Sequence, residues 1–267
     1  SRGNHITGSG NNGISVWDPN QVEGSGDGPD TLVSIHDTVS ISSNNNSAGI
    51  RAGFATYASV DSAEVSGTGT DYATGIEGGK VDHTVLRDSK ISTVSNDGVY
   101  AWIGARALFE RNAIASVGGS GVYFESIDST IIRDSKISDT FYEGVYLYLG
   151  LSALIERDSI VSTGSNDWDG LYFDGFSDTI RVRQTVVMNS GSSGIGLWGA
   201  ALSADSIAVT GNGTVSPASG LSFDNGSGGR VNASRMEGNR RFGVHTYSGA
   251  TLVRLDSLNS LAGNDSG

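Results

Sequence analysis

Apolar residues in this chain fall in short alternating patches of four to six residues, and the patches recur. A Gly followed by Ile, Val or Leu opens one kind of patch at Gly13, Gly49, Gly75, Gly98, Gly121, Gly144, Gly170, Gly194, Gly220 and Gly243. The first interval is 36 residues; every later one is 23–26. A second patch carries its own signature: "TVLRDSKIS" at 84–92, "TIIRDSKIS" at 130–138 and "ALIERDSIVS" at 153–162, with looser copies at 202–212 and 252–260. Period-two alternation bounded by Gly, Ser, Asn and Asp predicts strands. No window carries an apolar stripe at i, i+3, i+4 and i+7 long enough for a helix, so helical repeats are excluded.

This period, with two or three short strands per repeat, predicts an all-β parallel β-helix. One repeat winds one coil, and like strands stack about 4.8 Å apart. Residues 1–267 then form one domain of about ten coils. The excess of the first interval sits in "QVEGSGDGPDT", a turn-rich loop insertion at about 19–31. Leucine-rich repeats share the period but need a fixed Leu and Asn pattern that is absent, and a propeller blade needs about 40 residues.

The Gly-(Val/Ile/Leu) strand starts and the I-R-D-S-K-I-S corners resemble the right-handed parallel β-helix family. That is the pectate-lyase-like superfamily, together with bacterial surface β-helix proteins. The resemblance extends over essentially the whole chain and implies a right-handed solenoid whose first sheet is a frequent place for polysaccharides to bind. It also implies that Asp88, Asn112, Asp134, Asp158, Asp205, Asn232 and Asp256 form one column of tight-turn residues. Arg87, Arg111, Arg133 and Arg157 precede several of them and read as a second, solvated column.

An open coil exposes core and unpaired strand edges. The chain begins in the later part of a coil, and Gly267 falls 24 residues after Gly243, with no amphipathic helix to cover either end. The expectation is a slice of a longer array, or ends covered by other β-helix segments or chains.

Side chains alternate across a strand, so the second and fourth positions after each marker Gly face outward. The second-position column contains Tyr100, Tyr123, Tyr146 and Tyr172 on consecutive coils. The fourth-position column adds Trp102, Tyr148 and Trp198, interleaved with Glu125 and Asp174, while Asp97, Glu143 and Asp169 precede the Gly, with Trp168 beside the last. Aromatic faces bordered by carboxylates suit a ligand with C–H faces and hydroxyl edges. The expected role is therefore a polysaccharide-binding module, extracellular or at the cell surface. Two other readings stay open. Aligned aromatics stabilise one another by about 0.2–1 kcal/mol per pair without any ligand. The face could also meet another protein, as in a structural stalk or adhesin segment.

Catalysis is a further alternative. Glu143 and Asp169 stand on neighbouring coils, and Glu125 and Asp174 two coils apart, spacings that overlap the about 5–5.5 Å and 6.5–9.5 Å of retaining and inverting glycosidases. A lyase would need a base and a cation beside a uronate, but Arg51, Lys80 and His245 lie toward the two ends of the sheet. The polygalacturonase motifs are absent. "WDPN" at 17–20 resembles the D-P-H motif of mannuronan epimerases, with Asn20 in place of the His.

Composition narrows the partners. The formal net charge is −12, which disfavours a nucleic-acid backbone or an anionic membrane. No apolar run is long enough to span a bilayer, and the first residues lack a signal-peptide pattern. The absence of Cys excludes disulfides and thiolate metal sites. "GSGNNG" at 8–13 precedes a strand rather than a helix and holds no pyrophosphate. No cofactor is expected, except that Asp27 and Asp30 in "GDGPDTL" could hold a Ca²⁺ ion.

Overall fold

Strand pairing in the computed structural model is parallel throughout the described residues, 2–9, 13–17, 31–41, 47–67 and 72–265. The insertion with Asp27 and Asp30, and residues 18–20 of the WDPN stretch, lie outside them. Each coil crosses three sheets. In one coil these are Val145–Tyr148, Ser152–Glu156 and Ser159–Val161. The third sheet stacks ten such strands, which is nine coil-to-coil steps. Between 48 and 133 the first two strands of each coil run on as one, as in Val99–Glu110 and Val122–Arg133.

The core follows the alternation. Val145 and Leu147 are buried while Tyr146 and Tyr148 between and beyond them are only half so. In the third sheet Val39, Val65, Ile91, Ile114, Ile137, Ile160, Val187, Val209 and Met236 stack in one file, all buried. At the far end this shielding runs out: Leu255 pairs with buried Val231 yet is 41% exposed.

The marker glycines have a steric cause. A Cβ on Gly98 would sit 2.6 Å from the carbonyl oxygen of Gly121 and 2.7 Å from Ile114 Cγ2. The same junction recurs two coils on, with the Gly170 oxygen and Ile160 around Gly144. There the chain turns from the third sheet into the first directly against the next coil, and no side chain fits. Gly78 differs. It faces inward over a small apolar void of about 20 Å³ lined by Ala52, Ala58 and Ala101 among others, and a Cβ there would make ordinary 3.6 Å contacts with Ala101 and Thr84. Gly78→Ala is therefore expected to stabilise the protein by about 0.5–1 kcal/mol, read as a raised urea midpoint at unchanged m.

The single corner column expected from the sequence is three columns. Asp88, Arg111, Asp134, Arg157 and Gln184 occupy the left-handed backbone position, with φ of 50–57°. Asn112 and Asp158 stand one residue later and are buried. They join a chain of side-chain acceptors in which each coil's N–H donates to the next: Ala63 to Ser89, Ser89 to Asn112, Asn112 to Ser135, Ser135 to Asp158, Asp158 to Thr185. Asp205 and Asn232 stand one residue earlier, on the strand itself.

The arginines separate in the same way. Asp61, Arg87, Glu110, Arg133, Glu156, Arg183 and Asp205 pair in register, alternating in sign. The adjacent left-handed column, Asp88, Arg111, Asp134, Arg157, alternates in the opposite phase. In-register stacking would set like charges about 4.8 Å apart, and alternation removes that repulsion. Glu110, 7% exposed, is held by Arg87 at 3.1 Å, Arg111 at 2.9 Å and Arg133 at 2.7 Å. Glu110→Gln is expected to cost about 1–3 kcal/mol, below the fully buried case because the guanidinium groups reach solvent. The loss should shrink in 1 M salt when both proteins are unfolded in urea.

Candidate functional site

The outward columns of the first sheet are in register from end to end. The second-position file runs Ser15, Arg51, Glu77, Tyr100, Tyr123, Tyr146, Tyr172, Gly196, Ser222, His245. Ring centroids lie 5.1 Å apart for Tyr100 and Tyr123, 4.8 Å for Tyr123 and Tyr146, and 5.3 Å for Tyr146 and Tyr172. The central pair is parallel within 8°. These spacings reproduce the strand separation, so the ladder follows from identical residues on stacked strands.

The fourth-position file broadens the platform. Trp102 stacks on Tyr100 at 5.1 Å and lies flat over Gly79, where a Cβ would collide with the indole. Tyr148 sits between Glu125 and Asp174 and contacts Tyr146 at 6.1 Å. Trp198 follows Asp174 and is 42% exposed. Glu125 accepts hydrogen bonds from the hydroxyls of Tyr100 at 3.3 Å and Tyr123 at 3.5 Å. Partial burial and then the Glu125 charge push the Tyr100 hydroxyl up to about 12. Burial also raises Tyr123, Tyr146 and Tyr172, so the whole ladder stays neutral.

Trp168 does not join the platform. It packs edge-on against Tyr142 at 5.4 Å, and Tyr142 against Phe141 at 5.2 Å. All three stand exposed on the loops that enter the first sheet. Phe141 and Tyr142 escape a sequence reading because they precede the marker Gly and show no alternation.

The carboxylates before the marker Gly carry structural duties. Asp97 Oδ1 accepts the Ser120 N–H at 2.8 Å, Glu143 Oε2 the Ser120 hydroxyl at 3.0 Å, and Asp169 Oδ1 the Ser193 N–H at 2.7 Å. Each ties one coil to the next at the turn into the first sheet. Burial raises all three, Asp97 to about 6 and Asp169 to about 7. Asp169 also reaches the face: a methyl group on Gly196 would collide with its Oδ2 and with the Tyr172 ring. The gap in the tyrosine file at Gly196 is thus where the Asp169 carboxyl meets the platform. Burial raises Asp174 as well. Among the described residues no group of three or more His, Asp or Glu side chains is placed to hold a metal ion, and no helix is long and apolar enough to cross a membrane.

Comparison with known proteins agrees with this geometry. A family model described as "Right handed beta helix region" matches residues 33–166, half of the chain. No curated protein matches. The full-length tailspike protein 2 of Escherichia coli O157:H7 bacteriophage CAB120 is similar over 77% of this chain and 33% of its own, at 13% identity and a TM-score of 0.51. This chain therefore spans about a third of the tailspike's length. The A-module of the mannuronan C-5 epimerase AlgE4 from Azotobacter vinelandii is similar over 88% of this chain and 77% of its own, at 11% identity and a TM-score of 0.51. At such identities the likeness is one of fold. With ten parallel strands stacked in file and the family match across half its length, the chain belongs to the right-handed β-helix family.

Proposed function

We propose that the protein is an extracellular or cell-surface module that binds a polysaccharide along the first sheet. The observation that carries this reading is the ladder itself. Four half-buried tyrosine rings in register, extended by Trp102 and Tyr148, present a continuous aromatic surface with hydroxyl and carboxylate groups along it. Pyranose rings offer apolar C–H faces to such a surface and hydroxyls to Glu125 and Asp174. The surrounding acids favour a neutral glycan over a polyanion. An epimerase named for mannuronan shares the fold. Tyr146→Ala removes the central ring and is expected to lower glycan affinity at least tenfold in an array or calorimetric titration. Glu143→Gln and Asp169→Asn should retain binding. No glycan signal, together with concentration-dependent association in light scattering, would assign the face to a protein partner instead.

One observation favours a polysaccharide hydrolase or lyase. Asp169, raised to about 7 by burial, touches the platform at Gly196 beside Tyr172, within the range useful to a general acid or base near neutral pH. New reducing ends, or absorbance at 235 nm, released by the wild type and lost in Asp169→Asn would establish it. Binding without product leaves a pure recognition module.

A further inference from the structure

Where the tyrosine ladder ends toward the first coils, the surface sinks into a cleft of about 230 Å³. Tyr100, the first rung, forms one wall, and Tyr72, 69% exposed, forms another. Its polar lining is dense. Arg51 Nη2 and Glu77 Oε1 pair at 2.9 Å, and Asn96 Nδ2 donates to Thr74 Oγ1 at 3.1 Å. Ser47 stands behind the lining, 2% exposed, with its hydroxyl shielded from solvent.

We propose that this cleft is a terminal-sugar subsite that takes one neutral hexopyranose at the end of the glycan bound along the ladder. The inference rests on the glycan reading of the ladder and adds a direction to it. The volume lies below the roughly 300–1,000 Å³ of drug-sized sites, so it suits one ring and not a chain. The Arg51–Glu77 pair presents a donor and an acceptor side by side, the complement of two adjacent hydroxyls on a pyranose. Asn96 supplies a further donor and acceptor to the rim, and Tyr72 and Tyr100 flank the ring. Burial raises Glu77 above its ordinary carboxyl value, and the Arg51 charge and hydrogen bond oppose that shift.

The test uses single sugars, which can occupy the cleft and cannot bridge the ladder. Methyl α-D-glucopyranoside, methyl α-D-mannopyranoside and methyl β-D-galactopyranoside are titrated into the full chain and followed by saturation-transfer NMR. At least one should bind, with affinity lost in Tyr72→Ala and reduced at least fivefold in Asn96→Ala. Binding should persist in Tyr146→Ala, which cripples the ladder. Ser47→Ala removes a hydroxyl shielded from solvent and should leave sugar binding unchanged. No signal from the three sugars, or a signal indifferent to Tyr72→Ala and Asn96→Ala, overturns the subsite. Polymer binding that still depends on Tyr146 in that case leaves the ladder reading intact.

Discussion

Melting temperature is expected to fall as pH rises from about 4 to about 7, with maximal stability on the acid side of neutrality. Three carboxyls set this direction. Burial raises Asp97 to about 6, and Asp158 and Asp169 to about 7, from an ordinary value of 3.8. In the unfolded chain they ionise near that ordinary value. Between it and the raised value the folded state binds more protons than the unfolded state, so stability drops with pH, by up to about 1.4 kcal/mol per pH unit for each such group. Glu77, Glu143 and Asp174 are raised by burial too and add to the trend. The opposing groups act elsewhere or weakly. Asp88 and Asp134 are lowered by their hydrogen bonds to Arg111 and Arg157. Their contribution is complete above the ordinary carboxyl value and lost only below it. His245, lowered by burial, withdraws stability as pH falls below its ordinary 6.5, but it is one group. Thermal melts at pH 4, 5, 6, 7 and 8 in constant ionic strength decide the matter. Asp158→Asn should flatten the pH 5–7 slope. A melting temperature that climbs steadily to pH 8 would contradict the assignment of these carboxyls as protonated in the fold.

Gly144→Ala should destabilise the protein by about 3 kcal/mol, the upper end of the usual cost of forced overpacking. The added methyl would lie 2.5 Å from Ile160 Cγ2, 2.7 Å from the Gly170 oxygen and 3.0 Å from Thr163 Cγ2. The first belongs to the core file of the third sheet, and the second is the acceptor that Val145 N–H uses at 3.0 Å to hold its own coil to the next. Neither can retreat without opening the stack, because every coil repeats the same junction. The urea midpoint should fall at nearly unchanged m, in the opposite direction to Gly78→Ala. Equal stability of Gly144→Ala and the wild type would show that the junction relaxes and that the marker glycines are not steric requirements.

The two glycines separate what patterns can and cannot reveal. Each follows a Glu, Gly144 at the turn into its strand and Gly78 within one. Only the position of the next coil makes one intolerant of a methyl and the other receptive. The corners teach the same lesson. Asp88, Asn112 and Asp205 align as one column by their neighbours in sequence, yet a shift of a single residue puts the first on a left-handed turn, the second inside the coil and the third on the strand.

Periodicity by itself determined the solenoid, its coil length, the inward and outward phase of the first sheet and the tyrosine file, because identical spacing on parallel strands enforces register. Tertiary structure alone decided which carboxylates are tied into turns, that Trp168 belongs to the Phe141–Tyr142 cluster, and that Ser47, Tyr72 and Asn96 meet Arg51 and Glu77 in a cleft. Those contacts join residues of different coils across loops of unequal length. Side-chain reach and burial, which no repeat period encodes, set them.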